Sequence, residues 1–267
     1  MLKDITIGQY IPGDSFVHKL DPRVKIILSL LYIIDLFLIN QYVGYIFVIA
    51  FTAAIIIVSK IQLRYIYNGL KPIFILLIIT ALMNILMTPG NNLIFSYGVI
   101  KIYKEGLNLA GFMMLRLVFL IVGTSLLTLT TSPIELTDGL EKLMNPLKKI
   151  GVPAHELAMM MTIALRFIPT LIDETDKIMK AQMARGADFE SGNLVQRAKS
   201  LIPVLVPLFI SSFRRADELA MAMEARCYRG GDGRTRMKIL KLKYRDGIAT
   251  FITLLLIASS VAVRFIS

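Results

Sequence analysis

The chain has 267 residues, 55% of them hydrophobic, and a mean hydropathy of +0.66, whereas an ordinary soluble domain carries roughly 45–50% apolar residues. The apolar residues come in long blocks, so an all-α polytopic membrane protein is expected. The net charge of +11 raises nucleic acid as a partner, but 19 of the 30 Lys and Arg share residues 132–247 with 14 of the 19 acids, a mixed distribution that fits an anionic leaflet better.

The opening residues carry charges of both signs and no apolar core, so they do not read as a cleavable signal. Residues 24–39 form the first expected span, and 43–59, after the uncharged "NQY", a second running back. The basic run 60–71 leads to a third span at 72–87, opened by Pro72. "TPGNN" (88–92) is a turn, and 107–130 is a fourth span. Lys3, Lys19, Arg23, Lys60, Arg64 and Lys71 lie on one side of these spans, which the positive-inside rule makes cytoplasmic. Residues 132–247 then fall on the cytoplasmic side, and a fifth span at 248–263 puts the carboxyl terminus outside. The expected layout is 1–131 (four spans), 132–247 (a cytoplasmic domain) and 248–267 (the last span).

Within 132–247 the apolar runs 157–168 and 201–210 are too short to cross. They read as helices lying under the membrane or against the spans. Start and stop residues predict three helices, about 133–149, 154–185 and 197–228, with Pro169, Pro203 and Pro207 bending or breaking the last two.

Two of these helices end alike. Residues 175–186 (TDKIMKAQMARG) align with 216–227 (ADELAMAMEARC) at an offset of 41, matching Asp176 to Asp217, Ala181 to Ala222, Ala184 to Ala225 and Arg185 to Arg226. Leu171, Thr175, Ile178, Met179 and Gln182 share one helical side, so Arg185 ends an apolar stripe. Two readings stand. A cation and a following glycine suit any helix carboxyl end. Alternatively, each helix end plugs into a groove of a cytoplasmic partner, the forked guanidinium reaching carboxylates or carbonyls there and Gly186 allowing close approach.

With four spans before them and one after, these endings resemble the transmembrane T component of energy-coupling factor transporters, ABC-type importers of vitamins and metals. "GDSFVHKLDPRVKI" (13–26) is similar to the family's amino-terminal signature and "EARCYRGG" to its second motif. The resemblance implies a cytoplasmic coupling domain held by two ABC-type ATPase subunits. It also implies a separate, interchangeable membrane subunit that binds the substrate. Ala184, Arg185 and Gly186 correspond to the first coupling motif, and Ala225, Arg226 and Cys227 to the second, where Cys227 departs from glycine. No phosphate-binding G-x-x-x-x-G-K-[ST] loop is present, so nucleotide hydrolysis is expected in the partners and not in this chain.

Met159, Met160, Met161, Met179, Met183, Met221 and Met223 are either core filling or an adaptable surface for docking several partners. Asp35 and Arg116 lie within spans, where structural pairing with polar neighbours is favoured over a substrate pathway. Cys227 is the only cysteine, so no internal disulfide forms; the two histidines, His18 and His155, give no metal spacing, and no cofactor is expected. The alternative, a self-contained secondary permease, would predict inverted repeats with broken helices near the midplane, whereas the expected span count is odd and a large insert follows the fourth span; a membrane enzyme would need a cluster of carboxylates or histidines at one face, and the acids are scattered.

Overall fold

Asp21 starts the first helix. Its carboxylate accepts from the Arg23 amide at 2.9 Å, Pro22 occupies the first turn, and α1 runs Pro22–Leu38. The structure, a computed structural model, describes residues 10–97, 100–189, 191, 193–231 and 240–266. Lys3 and most of the basic stretch before the last span lie outside the described residues. The described residues fall into two compact units, one of 10–140 with 240–266, the other of 141–231.

In the larger unit α1 is followed by α2 (Tyr42–Ser59), α3 (Leu63–Leu70), a 3₁₀ turn at Lys71–Ile73, and α4 (Phe74–Met87). A short antiparallel hairpin, β1 (Leu93–Tyr97) and β2 (Ile100–Tyr103), leads to α5 (Lys104–Thr130), and α10 (Tyr244–Ile266) closes the unit. The basic run 60–71 is helical from Leu63, and Pro72 sits in the 3₁₀ turn rather than opening a span. A proline tolerated in a first turn is equally tolerated where one helix tightens into the next.

Five helices among the described residues are long and apolar enough to cross a membrane: α2, the α3–α4 run, α5, α7 and α10. Four correspond to expected spans. The first expected span, α1, has 17 residues, at the short end of what crosses; Ile27, Leu30, Ile34 and Phe37 form its exposed apolar stripe. The addition is α7, in the smaller unit.

The core of the larger unit gathers on α5, which packs against α1, α2, α3 and α4. Gly123 allows the approach of α1: a Cβ there would lie 2.4 Å from the Tyr32 ring. The Tyr32 hydroxyl in turn donates to the Phe119 carbonyl at 3.2 Å and lies 3.2 Å from the Thr52 hydroxyl. Lys25 is buried, and its ammonium donates to the carbonyls of His18 (3.1 Å) and Thr130 (3.0 Å) and to the Thr131 hydroxyl (3.1 Å). Thr130 belongs to the last turn of α5, whose free carbonyls and dipole favour a cation. Asp246 joins α10 to α1 by accepting from the Asp21 amide at 2.8 Å. Asp35 and Arg116 each meet neighbours, although Asp35 Oδ1 and Arg116 Nε are buried with no hydrogen-bond partner among the described residues; Asp35 Oδ2 accepts from the Ser260 hydroxyl at 3.1 Å. Arg116 donates to the Ile39 carbonyl at 3.2 Å and lies over the Phe37 and Phe112 rings.

The start of α6 (Pro133–Met144) belongs to the larger unit and its end to the smaller. A 3₁₀ stretch at Asn145–Ile150 follows, then α7 (Ala154–Ala184), α8 (Leu194–Ser200) and α9 (Ile202–Ala225). The expected helix 133–149 therefore tightens at Pro146, and 197–228 divides at Leu201. The prolines break less than expected. Pro169 and Pro207 sit inside unbroken helices, each exposed, and Pro203 lies in the first turn of α9, where its missing N–H costs nothing. By length and composition α7 reaches across a membrane, against the expectation that its apolar run is too short.

The amino-terminal motif around 13–26 forms a knot. His18 Nε2 donates to the Ile11 carbonyl at 3.1 Å, which leaves Nδ1 to accept from Ser15 at 2.6 Å. Burial chiefly holds the His18 pKa below 6.5; the bond to Ile11 opposes the shift, Lys25 adds to it, and Asp14 opposes it. The folded state therefore disfavours the proton, and stability is complete above about pH 6.5 and declines as pH falls below it. Thermal unfolding in detergent is expected to show a lower Tm at pH 5.5 than at pH 7.5, and His18→Gln to flatten that dependence.

Candidate functional site

The two expected arginine sites share one backbone geometry. Arg185 caps α7 with φ −89°, and Gly186 follows at φ +89°. The Gly186 amide donates to the Met183 carbonyl and the Ala187 amide to the Gln182 carbonyl, both at 3.0 Å. Arg226 caps α9 with φ −92°, and Cys227 follows at φ +55°. The Cys227 amide donates to the Glu224 carbonyl at 2.8 Å and the Tyr228 amide to the Met223 carbonyl at 3.0 Å. Both are Schellman caps with the arginine at the C-cap. The αL conformation, which glycine enters most cheaply, accounts for Gly186 within the chain; no atom lies within 4 Å of a Cβ built there.

Each cap leaves its arginine outside. Ala184, Arg185, Gly186, Ala225, Arg226 and Cys227 are all exposed, and neither guanidinium has a hydrogen bond or ion pair among the described residues. Arg215, by contrast, is engaged. Its Nη2 donates at 2.7 Å to Glu174 Oε2, while the other carboxylate oxygen accepts at 2.5 Å from Ser211. Gln182 meets the Pro203 carbonyl at 3.4 Å, so α7 and α9 cross antiparallel.

Arg185 lies 11 residues beyond Glu174, and Arg226 lies 11 beyond Arg215. At 1.5 Å per residue each cap stands about 16 Å from the tether, on opposite sides of the crossing. Composition and periodicity did not single out Glu174, Ser211 or Arg215. A signal was nonetheless present: Glu174 and Arg215 are opposite charges at the repeat's own offset of 41.

A cavity of about 520 Å³ opens between the two helices beside the tether, with Phe167, Leu171, Leu219, Met223 and Tyr228 in its wall. The methionines divide. Met159, Met179 and Met223 are half-buried, whereas Met160, Met161, Met183 and Met221 are exposed. Among the described residues no cluster of His, Cys, Asp or Glu is arranged to hold a metal ion.

The sequence matches the family described as cobalt transport protein, CbiQ, over residues 13–239. A protein of Clostridium kluyveri is 72% identical over 265 residues, which cover 99% of this chain and 98% of that one. Relatives from Thermosediminibacter oceani and Bacillus subtilis are 59% and 49% identical, covering 99% and 97% of this chain and 100% and 97% of their own. All three carry the name energy-coupling factor transporter transmembrane protein EcfT.

The chain belongs to this family of T components. A T component is a multi-pass membrane part of a transporter and is not itself an enzyme. The match from 13 to 239 takes in the knotted amino-terminal motif and both caps of this T component.

The caps of the T component make a prediction. A non-glycine residue in αL costs about 1–2 kcal/mol. Cys227→Gly is therefore expected to tighten the second cap, slowing hydrogen exchange at the Cys227-position and Tyr228 amides. Gly186→Ala is expected to loosen the first cap and speed exchange at the position-186 and Ala187 amides.

Proposed function

We propose that the chain is the energy-coupling subunit of an ABC-type importer and that its two capped helices are held by two cytoplasmic ATPase subunits, one at each arginine. The observation that carries this reading is the pairing of two caps of the same hydrogen-bond pattern, whose exposed guanidinium groups have no partner among the described residues, on opposite sides of one crossing. A forked guanidinium at a rigid helix end suits a carboxylate or a cluster of carbonyls on another chain. When the ATPase subunits change their spacing, the two helices turn about the Glu174–Arg215 tether and pass that motion to a separate substrate-binding membrane subunit. That subunit takes up a micronutrient such as a vitamin, and it is interchangeable.

In this reading residues 132–247 form the cytoplasmic coupling domain between 1–131 and 248–267, and α7, although long and apolar enough to cross, lies along the membrane face. The protein lies in the plasma membrane with its amino terminus inside and its carboxyl terminus outside. The exposed Met160, Met161, Met183 and Met221, with the half-buried Met159, Met179 and Met223, suit a docking surface that repacks against different partners. A secondary permease would work without partner chains, and the free arginines would then have no counterpart.

The arginines test the reading. Truncating one member of a buried charge pair at an interface costs about 2–5 kcal/mol. Arg185→Ala or Arg226→Ala, co-expressed with the ATPase subunits, is expected to lose one of them on purification, while an exposed control such as Arg214→Ala keeps both. Retention of both ATPases and of full uptake by the double arginine variant is incompatible with the anchor role. Glu174→Gln is expected to separate the two functions, leaving both ATPases bound and lowering uptake per ATP hydrolysed.

A further inference from the structure

The larger unit holds a cavity that the coupling reading does not use. Its volume is about 500 Å³, within the range that receives a small ligand. Three helices wall it over a common depth: from Lys25 to Tyr32 on α1, from Val58 to Phe51 on α2, and from Thr130 to Gly123 on α5. Each interval is seven residues, about 10 Å of helix. Ile248 and Ile252 of α10 close the fourth side, and Phe16, Val17 and Leu20 of the amino-terminal segment also line the cavity. The cavity is therefore a shaft parallel to the helices, running from one end of the spans toward their middle. Because α2, α5 and α10 are long and apolar enough to cross a membrane, the medium beside it is hydrocarbon.

The polar atoms in its wall are already satisfied. All three hydrogens of the Lys25 ammonium are engaged by His18, Thr130 and Thr131. The hydroxyls of Ser29, Thr52 and Thr253 donate to carbonyls of their own helices. A cavity with no unmet polar group stays dry and takes apolar matter.

The rim differs from the wall. Lys60 caps α2 two residues beyond Val58, and Lys243 immediately precedes α10 at the same end. Both side chains are exposed, and neither has a hydrogen bond or ion pair among the described residues. The acids nearby are occupied. Asp21 is bound by Arg23, Asp246 accepts from the amides of Asp21 and Lys243, and Asp14 pairs with Lys19.

We propose that the shaft is a binding site for an anionic phospholipid, with one acyl chain lying beside Tyr32 and the phosphate at Lys60 and Lys243. The apolar wall, its alignment with the bilayer's own chains and the cationic rim each match a different part of that molecule.

The test uses the full-length protein in vesicles of phosphatidylglycerol or phosphatidylcholine, each lipid carrying a diazirine in its acyl chain, with residue-resolved mapping after irradiation. Phosphatidylglycerol is expected to label Tyr32 and Ile252, and phosphatidylcholine to label them several-fold less. Ala54→Phe or Ala249→Phe, which fill the shaft, are expected to abolish that label while the outward-facing Leu30 and Ile34 remain labelled. Lys60→Gln combined with Lys243→Gln leaves the interior untouched and is expected to reduce the phosphatidylglycerol label to the phosphatidylcholine level; it carries the test should the filled variants fail to fold. Label confined to Leu30 and Ile34, equal label from the two lipids, or label unchanged in the filled variants overturns the proposal. So does loss of the shaft label on adding partner subunits, since that assigns the cavity to a protein side chain.

Discussion

A single carboxylate sets the geometry of the smaller unit. Glu174 holds Ser211 with one oxygen and Arg215 with the other. Charge-assisted bonds of this kind are stronger and more directional than neutral ones. Apolar contact alone would let α7 and α9 slide, because ridges and grooves repeat along both helices. With Glu174 bonded at two points, one register is selected. The distance from crossing to cap is then the same on both helices.

Equal arms follow from the 41-residue offset, and equal ends follow from the caps. An arginine at the C-cap followed by an αL residue turns the chain away from the axis, and both arginine side chains are exposed. Gly186 enters αL at no steric cost, and Cys227 enters it at some. The second end therefore keeps its shape despite its different residue, which means the cap's hydrogen bonds to Glu224 and Met223 outweigh the conformational penalty. In the larger unit the corresponding constraint is Lys25, a buried cation bound by the amino-terminal knot and by the end of α5. The two units thus each use a charged group, fully engaged by neighbours, to fix helices whose apolar faces specify burial but not register.

Much of this was readable from residue types. Long apolar runs located four of the five helices long and apolar enough to cross a membrane, because a bilayer demands length and hydropathy whatever the packing. The offset-41 repeat located the caps because an Ala-Arg ending before a small residue has few other uses. What escaped was tertiary. Proline is read as a breaker, yet Pro169 and Pro207 lie on exposed faces, where the freed carbonyl is not stranded in a core. The run 157–168 looked short because Pro169 ends it and the charged Asp173 lies just beyond. The helix continues through both, since each side chain is exposed. The hairpin at 93–103 left no signal beyond the Asn-rich turn before it.

The exposed surface of α9 bears on the proposed coupling role. Phe209, Ile210 and Phe213 stand 58–69% exposed beside Val206 at 51%. A run of apolar side chains this dense does not stay in water on a soluble monomer, and a lipid or a partner must cover it. Arg185 and Arg226, which have no hydrogen bond or ion pair among the described residues, lie at the carboxyl ends of the two rods, α7 and α9. Hydrophobic contact is therefore available along the length of the rod and directional polar contact at its end. Apolar faces slide at little cost and forked hydrogen bonds do not. A rod built this way can be gripped at the tip while its flank shifts against a changing neighbour, which is the division of labour that the proposed coupling role requires.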